Sequence, residues 1–285
     1  MKGKGARLLL RALGLLVLVS LILAMVGCGD GGGGGGGDKD AIALMKKLPK
    51  GTDSFMFVDI KSLRTDDDLE DLYDSFSEDS GDMTSMFGAD MEDISFWAMA
   101  GEMMFVLQGD FDEDEVTEAL EQTGYEKSDY EGVEVWAAMG FAAALVDDST
   151  LVFASDTDVK ACVDVIKGEE KSLYEASGVK DDMGKLPGDA LIVAWGGAGE
   201  SFFADETYTG LEATAISMSK KNADTVQATA VMRFEDSASA KDAMDDVEAD
   251  MKADSETEVT NLKVTQDGEY IKATAEMDLD ENLFS

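Results

Sequence analysis

The stretch Thr225–Phe234, TVQATAVMRF, alternates along nearly all its length, Val231 excepted. Val226, Ala228, Ala230, Met232 and Phe234 fall on one side, Gln227, Thr229 and Arg233 on the other. A period of two predicts a strand packed on one face and wet on the other, in an antiparallel sheet. Tyr270–Leu279 repeats the pattern, with Ile271, Ala273, Ala275, Met277 and Leu279 set against Lys272, Thr274 and Glu276. Asp267-Gly268 just before it is a tight-hairpin signal, pairing this strand with Val259–Thr265. Between the two alternating stretches, Ser237–Ala253 places Ala240, Met244, Val247 and Met251 at helical spacing. A further strand, Leu211–Ser219, precedes them. Strand pairs on either side of a helix define an α+β fold: two related modules of mainly antiparallel sheet with helices packed on one face.

The upstream sequence follows a similar order. A short helix is expected at Ala41–Lys47 and a strand at Ser54–Ile60. Leu69, Leu72, Tyr73 and Phe76 mark an amphipathic helix over Asp66–Phe76, and Ser77–Asp93 reads as loop. Strands are expected at Ile94–Ala100, Met103–Gln108, Val133–Ala138, Phe141–Val146 and Thr150–Ala154. Helices follow at Asp114–Gln122 and after a cap at Asp156, the second burying Val159, Cys162, Val163 and Ile166. The chain has two prolines, Pro49 and Pro187, 138 positions apart. Each follows a Lys-Leu lead and precedes a strand, the second at Ala190–Trp195, a placement that suits a turn and suggests an internal duplication. The expected modules are residues 40–180 and 181–285.

At the other end, Met1–Cys28 opens with Lys2, Lys4, Arg7 and Arg11 and no acid. An uncharged apolar run, Ala12–Gly27, follows and closes in Ala24-Met25-Val26-Gly27-Cys28. This is the pattern of an export signal. Its close resembles the lipobox of bacterial lipoproteins, with Met25 where that class usually carries Leu. The resemblance implies a signal peptide over residues 1–27, with Cys28 as the first mature residue and the lipidation site. An uncleaved signal anchor is the other reading of the same run. Both place the remainder on the extracytoplasmic face of a cell membrane. Residues 28–39 then form the lipidated Cys and a Gly-rich tether that spans roughly 18 Å on average. The Leu48-Pro49 lead-in, Phe57-Val58-Asp59-Ile60 and Gly109-Asp110-Phe111-Asp112 resemble an uncharacterised family of exported prokaryotic proteins. That resemblance implies no activity and lends no catalytic residue.

Charge narrows the partners. From Cys28 onward the chain holds 19 basic and 61 acidic residues, a net charge of −42. Phosphate backbones are repelled by such a surface, so nucleic acid is excluded. A cationic partner, bound divalent ions or a salty habitat each suit it. There is no His, and on the lipoprotein reading Cys162 stands alone, so no intramolecular disulfide is expected.

Candidate chemistry is sparse. Asp110, Asp112, Asp114, Glu118 and Glu121 occupy positions 1, 3, 5, 9 and 12 of a calcium-loop spacing, but Glu115 stands where the sharp turn needs Gly. Asp66-Asp67-Asp68 and Asp278, Asp280 and Asn282 are looser carboxylate sets. Met83, Met86, Met91, Met99, Met103 and Met104 crowd one region, as a thioether site for Cu(I) or as filler for an irregular core among Phe96, Trp97, Phe105 and Val106. Gly196-Gly197-Ala198-Gly199 reads as a strand-exit loop that, with Phe202, Phe203 and Tyr208, is suited to touch a partner. Ser177-Gly178-Val179-Lys180 matches Ser-x-x-Lys without the companion motifs of that chemistry. The expectation is therefore a membrane-anchored acidic lipoprotein without catalytic activity and with no cofactor, acting as a binding or interaction module. Its partners are the membrane, through the lipid anchor, and an extracytoplasmic protein or a cationic partner. The alternatives are a calcium-binding envelope protein and, less favoured, an envelope hydrolase.

Overall fold

The computed structural model describes residues 38–101, 103–197, 208–253 and 259–279. The expected signal peptide, Cys28 and the glycine run lie outside them. Among the described residues there are twelve strands and seven α-helices, an α+β fold. The chain divides at Trp195/Gly196 into two compact units.

The first unit opens with α1 (Lys39–Met45). Asp38 caps it by accepting from the Asp40 and Ala41 N–H groups, and its second oxygen takes the Ala190 N–H at 3.3 Å. Burial raises the Asp38 pKa, the capping bonds opposing. The Leu48-Pro49 lead-in docks by backbone: Leu48 O accepts from Leu173 N–H and Lys50 N–H donates to Lys171 O. β1 (Ser54–Val58) follows, with Phe55, Met56, Phe57 and Val58 all buried. A strand covered on both faces reads as a continuous apolar run, and this one does. After it come α2 (Ile60–Thr65), α3 (Glu70–Ser85), β2 (Ile94–Ala100) and β3 (Met104–Gly109). Then come α4 (Glu113–Gln122), β4 (Glu126–Tyr130), β5 (Val133–Ala138), β6 (Phe141–Asp147), β7 (Thr150–Ser155), α5 (Asp156–Ile166), α6 (Val179–Gly184) and β8 (Ile192–Gly197).

The strands of this unit lie in the order β8-β1-β2-β3-β7-β6-β5-β4. From β1 to β4 every neighbouring pair is antiparallel. Register places Val106, Val152, Ala144, Ala142 and Ala154 on one face, and α5 packs over β6 and β7. Val159, Cys162 and Val163 of α5 are fully buried, each worth about 1–3 kcal/mol of apolar burial. Cys162 Sγ lies 3.6 Å from Met104 Sδ.

Three expectations need correction in this unit. The loop expected at Ser77–Asp93 is helical to Ser85, because tertiary cover extends α3: Thr84 is buried, its hydroxyl donates to Gly81 O, and Phe87 anchors the exit. The exit then needs Gly88, at φ +69°; a Cβ there would lie 2.7 Å from Glu115 O. The cap of α5 is Ser155, whose Oγ accepts from Asp158 N–H, and Asp156 is the first helical residue; Val165 is buried while Ile166 is only half-buried. β4 was not expected at all: EKSDY has no apolar alternation and forms an edge held by backbone pairing to β5.

The second unit holds β9 (Leu211–Asn222), β10 (Thr225–Phe234), α7 (Ser237–Ala253), β11 (Val259–Asp267) and β12 (Tyr270–Asp278). Its strand order is β11-β12-β10-β9, all antiparallel. Gly268 at φ +62° makes the expected hairpin turn. Ala228, Ala230 and Met232 face Ala275, Ala273 and Ile271 across β12, and α7 packs against β10, β11 and β12 with Ala240, Val247 and Met251 buried. The opposite face is not the wet one expected. Thr229, Ser217, Ser219 and Glu276 are buried there. Lys221 and Asn261 both bond Glu276 and, with Lys221 the larger influence, hold its carboxyl below the usual range.

Candidate interaction surface

In the first unit, the face opposite α5 carries Leu107, Leu151, Phe105, Phe153, Leu145 and Phe141, as the β3–β7–β6 register dictates. Three of these rings form a row. Phe105 pairs directly with Phe153, centroids 6.4 Å apart, and Phe153 stacks on Phe141 at 5.5 Å and 14°. Buried Phe87 closes on Phe153 at 4.3 Å, and Trp97 on Phe105 at 6.0 Å. Offset ring pairs of this kind add about 0.5–1.5 kcal/mol each beyond area burial. Yet Phe105, Phe141 and Phe153 are only half-buried.

Two exposed methionines are close in sequence to residues of this cluster. Met86 precedes Phe87 and is 58% exposed; Met139 lies two residues before Phe141 and is 93% exposed. They are the exposed large hydrophobics among the described residues. Met139-Gly140 forms the two-residue turn between β5 and β6, since Ala138 pairs with Phe141. Both turn residues have positive φ, 51° and 89°. Such a turn favours Asn or Asp at its first position, so Met139 carries a backbone cost there as well as exposed apolar area. Polar Glu131-Gly132 fills the same kind of turn between β4 and β5.

The residues singled out from sequence are disposed differently. Asp112 is the N-cap of α4, its Oδ1 accepting from the Asp114 and Glu115 N–H groups at 2.9 and 3.3 Å. Asp110 precedes the helix, Glu118 accepts from Gln122 Nε2, and Glu121 lies on the last turn; all five carboxylates are exposed. Among the described residues no three acidic or Cys side chains gather as a metal site. Asp66 Oδ1 accepts from the Asp68 N–H, the bond that opens the 3-10 turn Asp67–Leu69. Of the methionine group, Met91 and Met104 are core, Met99 and Met103 are half-buried, and the Met83 side chain lies outside the described residues. Ser177 and Lys180 are exposed. Burial, with Asp158 nearby, pushes the Cys162 thiol up to about 12. Tyr208 donates to Asp250 Oδ2 at 2.8 Å on α7. Ala198, Gly199, Phe202, Phe203, Asp280 and Asn282 lie outside the described residues. The aromatic row was missed because register, not spacing, assembles it; the one local signal is an apolar Met in a turn otherwise built for Asn-Gly.

Among solved structures the chain is similar to TP0453. One crystal form (form IV) shares 8% identity at a TM-score of 0.51, covering 82% of this chain and 92% of that one. Another (form I) shares 6% identity at 0.52, covering 84% and 93%. At such identities the likeness is one of fold. No family model matches the sequence, and no curated protein matches it. Among the described residues no helix is long and apolar enough to cross a membrane.

Proposed function

We propose that this chain is a membrane-anchored acidic lipoprotein, exposed on the extracytoplasmic face, that works as a non-catalytic interaction module. Acyl chains on Cys28 hold it to the bilayer, and the aromatic row of its first unit receives a protein partner. The observation that carries this reading is the half-covered row of Phe105, Phe153 and Phe141, with exposed Met86 next in sequence to Phe87 and exposed Met139 in the turn before Phe141. Exposed apolar residues scattered singly are ordinary, whereas stacked rings left half-covered on a sheet face offer a contact surface. The charge of −42 selects the partner: an extracytoplasmic protein with an apolar ridge bordered by Lys and Arg, steered in by the opposite potential. The paired Lys-Leu-Pro lead-ins, each ahead of a strand, support an internal duplication in the chain, although both fall before the Trp195/Gly196 division. The calcium-binding alternative rests on charge and on the loop spacing of Asp110, Asp112, Asp114, Glu118 and Glu121, of which Asp112 is engaged as the α4 cap, and no carboxylate pair stands out to support a hydrolase.

Two measurements test it. Cys28→Ser moves the folded protein from the membrane pellet to the soluble fraction; retention in the pellet contradicts the anchor. A photo-crosslinking side chain at position 139 gives a discrete protein adduct in intact cells, while one at exposed Asp148, in the turn at the far end of β6, does not. Equal labelling from both positions removes the docking surface.

A further inference from the structure

Among the described residues the sulfur-bearing side chains range from buried to open, with Met99, Met103 and Met244 half-buried between the extremes. Met45, Met56, Met104, Met183 and Cys162 are buried, whereas Met139 and Met86 stand 93% and 58% exposed. A thioether is oxidised where it meets the oxidant, with no prior loss of a proton. We propose that Met139, followed by Met86, is the site at which a hydroperoxide modifies the folded protein, leaving the buried sulfurs untouched.

The step balances within the two reactants. A lone pair on the Met139 sulfur attacks the distal oxygen of hydrogen peroxide; the S–O bond forms as the O–O bond breaks. The departing hydroxide gains the proton and leaves as water, so sulfur loses two electrons and the peroxide gains them. The polar sulfoxide at position 139 stays in water at the tip of the β5–β6 turn and disturbs no packing. At Met104 the same oxygen would be buried against Cys162 and α5, with no room in a close-packed interior. Cys162 is doubly protected: it is buried and its thiol stays protonated, whereas the thiolate is the reactive form. Oxidation would therefore change the polarity of the β5–β6 turn that leads into Phe141 without changing the fold. This holds whether or not the row takes a protein partner.

The test is a time course of the purified chain in millimolar hydrogen peroxide, read by peptide mass spectrometry alongside far-ultraviolet circular dichroism. The first gain of about 16 Da falls on the Met139 peptide and the second on the Met86 peptide. Both run roughly ten-fold or more ahead of Met104, and the spectrum does not change. In denaturant the methionines oxidise together. Met139→Leu removes the first addition and leaves the second at its original rate. Oxidation of Met139 no faster than of Met104, or a first addition that persists at full rate in Met139→Leu, overturns the assignment.

Discussion

Lys47 Nζ lies 2.9 Å from Asp147 Oδ2 and 2.5 Å from Thr150 Oγ1, joining the turn after α1 to the β6–β7 turn a hundred residues further on. Burial opposes the charged form of Asp147. Hydrogen bonds from Lys47, the Ser149 N–H and Thr150 outweigh it together, so the carboxyl sits below its usual 3.8. A depressed carboxyl contributes stability that is present above the unfolded pKa and lost as pH falls through the folded one.

Lys47→Met is therefore expected to cost about 1 kcal/mol at pH 7, a modest figure because both partners are partly exposed and screened. The cost shrinks as the pH falls through the acidic side of 3.8. Urea midpoints of the wild type and the variant at pH 7 and at strongly acidic pH measure it; a difference that grows on acidification would contradict the assignment.

Asp182 and Trp195 form a buried polar pair in the first unit, with Trp195 Nε1 donating to Asp182 Oδ2 at 3.1 Å. Asp182→Ala strands the indole N–H in the interior and is expected to destabilise by about 1–3 kcal/mol. Trp195→Phe in the Asp182→Ala background should recover part of that loss, because the orphaned donor is gone. Denaturant midpoints of the two variants decide it; no recovery would place the cost elsewhere.

Asp112 is engaged as a helix cap, and its replacement bears on the calcium alternative. Asp112→Ala should lower stability by about 1 kcal/mol through the lost N-cap bonds. The loss is expected to be the same with and without millimolar calcium in thermal melts. Calorimetric heat of calcium binding that vanishes in this variant would instead favour the cation reading.

Local chemistry was legible from sequence wherever one neighbourhood settles it. The alternation of Thr225–Phe234, the Asp267-Gly268 turn and the periodicity of Ser237–Ala253 each predicted an element that the structure has at the same place, because period and turn preference are properties of adjacent residues. The export-signal pattern and the lipobox-like close are likewise read within one short segment, and the proposed anchor rests on them. Tertiary structure alone decided what depends on register and cover. It extended α3 through Gly81 to Ser85, and it made a strand of Glu126–Tyr130 by lending it the backbone of β5. It buried Ser217, Ser219 and Thr229 on a face whose residues read as wet. It also set Phe105, Phe153 and Phe141 in one row, since strands distant in sequence contribute to a common face only once their pairing is fixed.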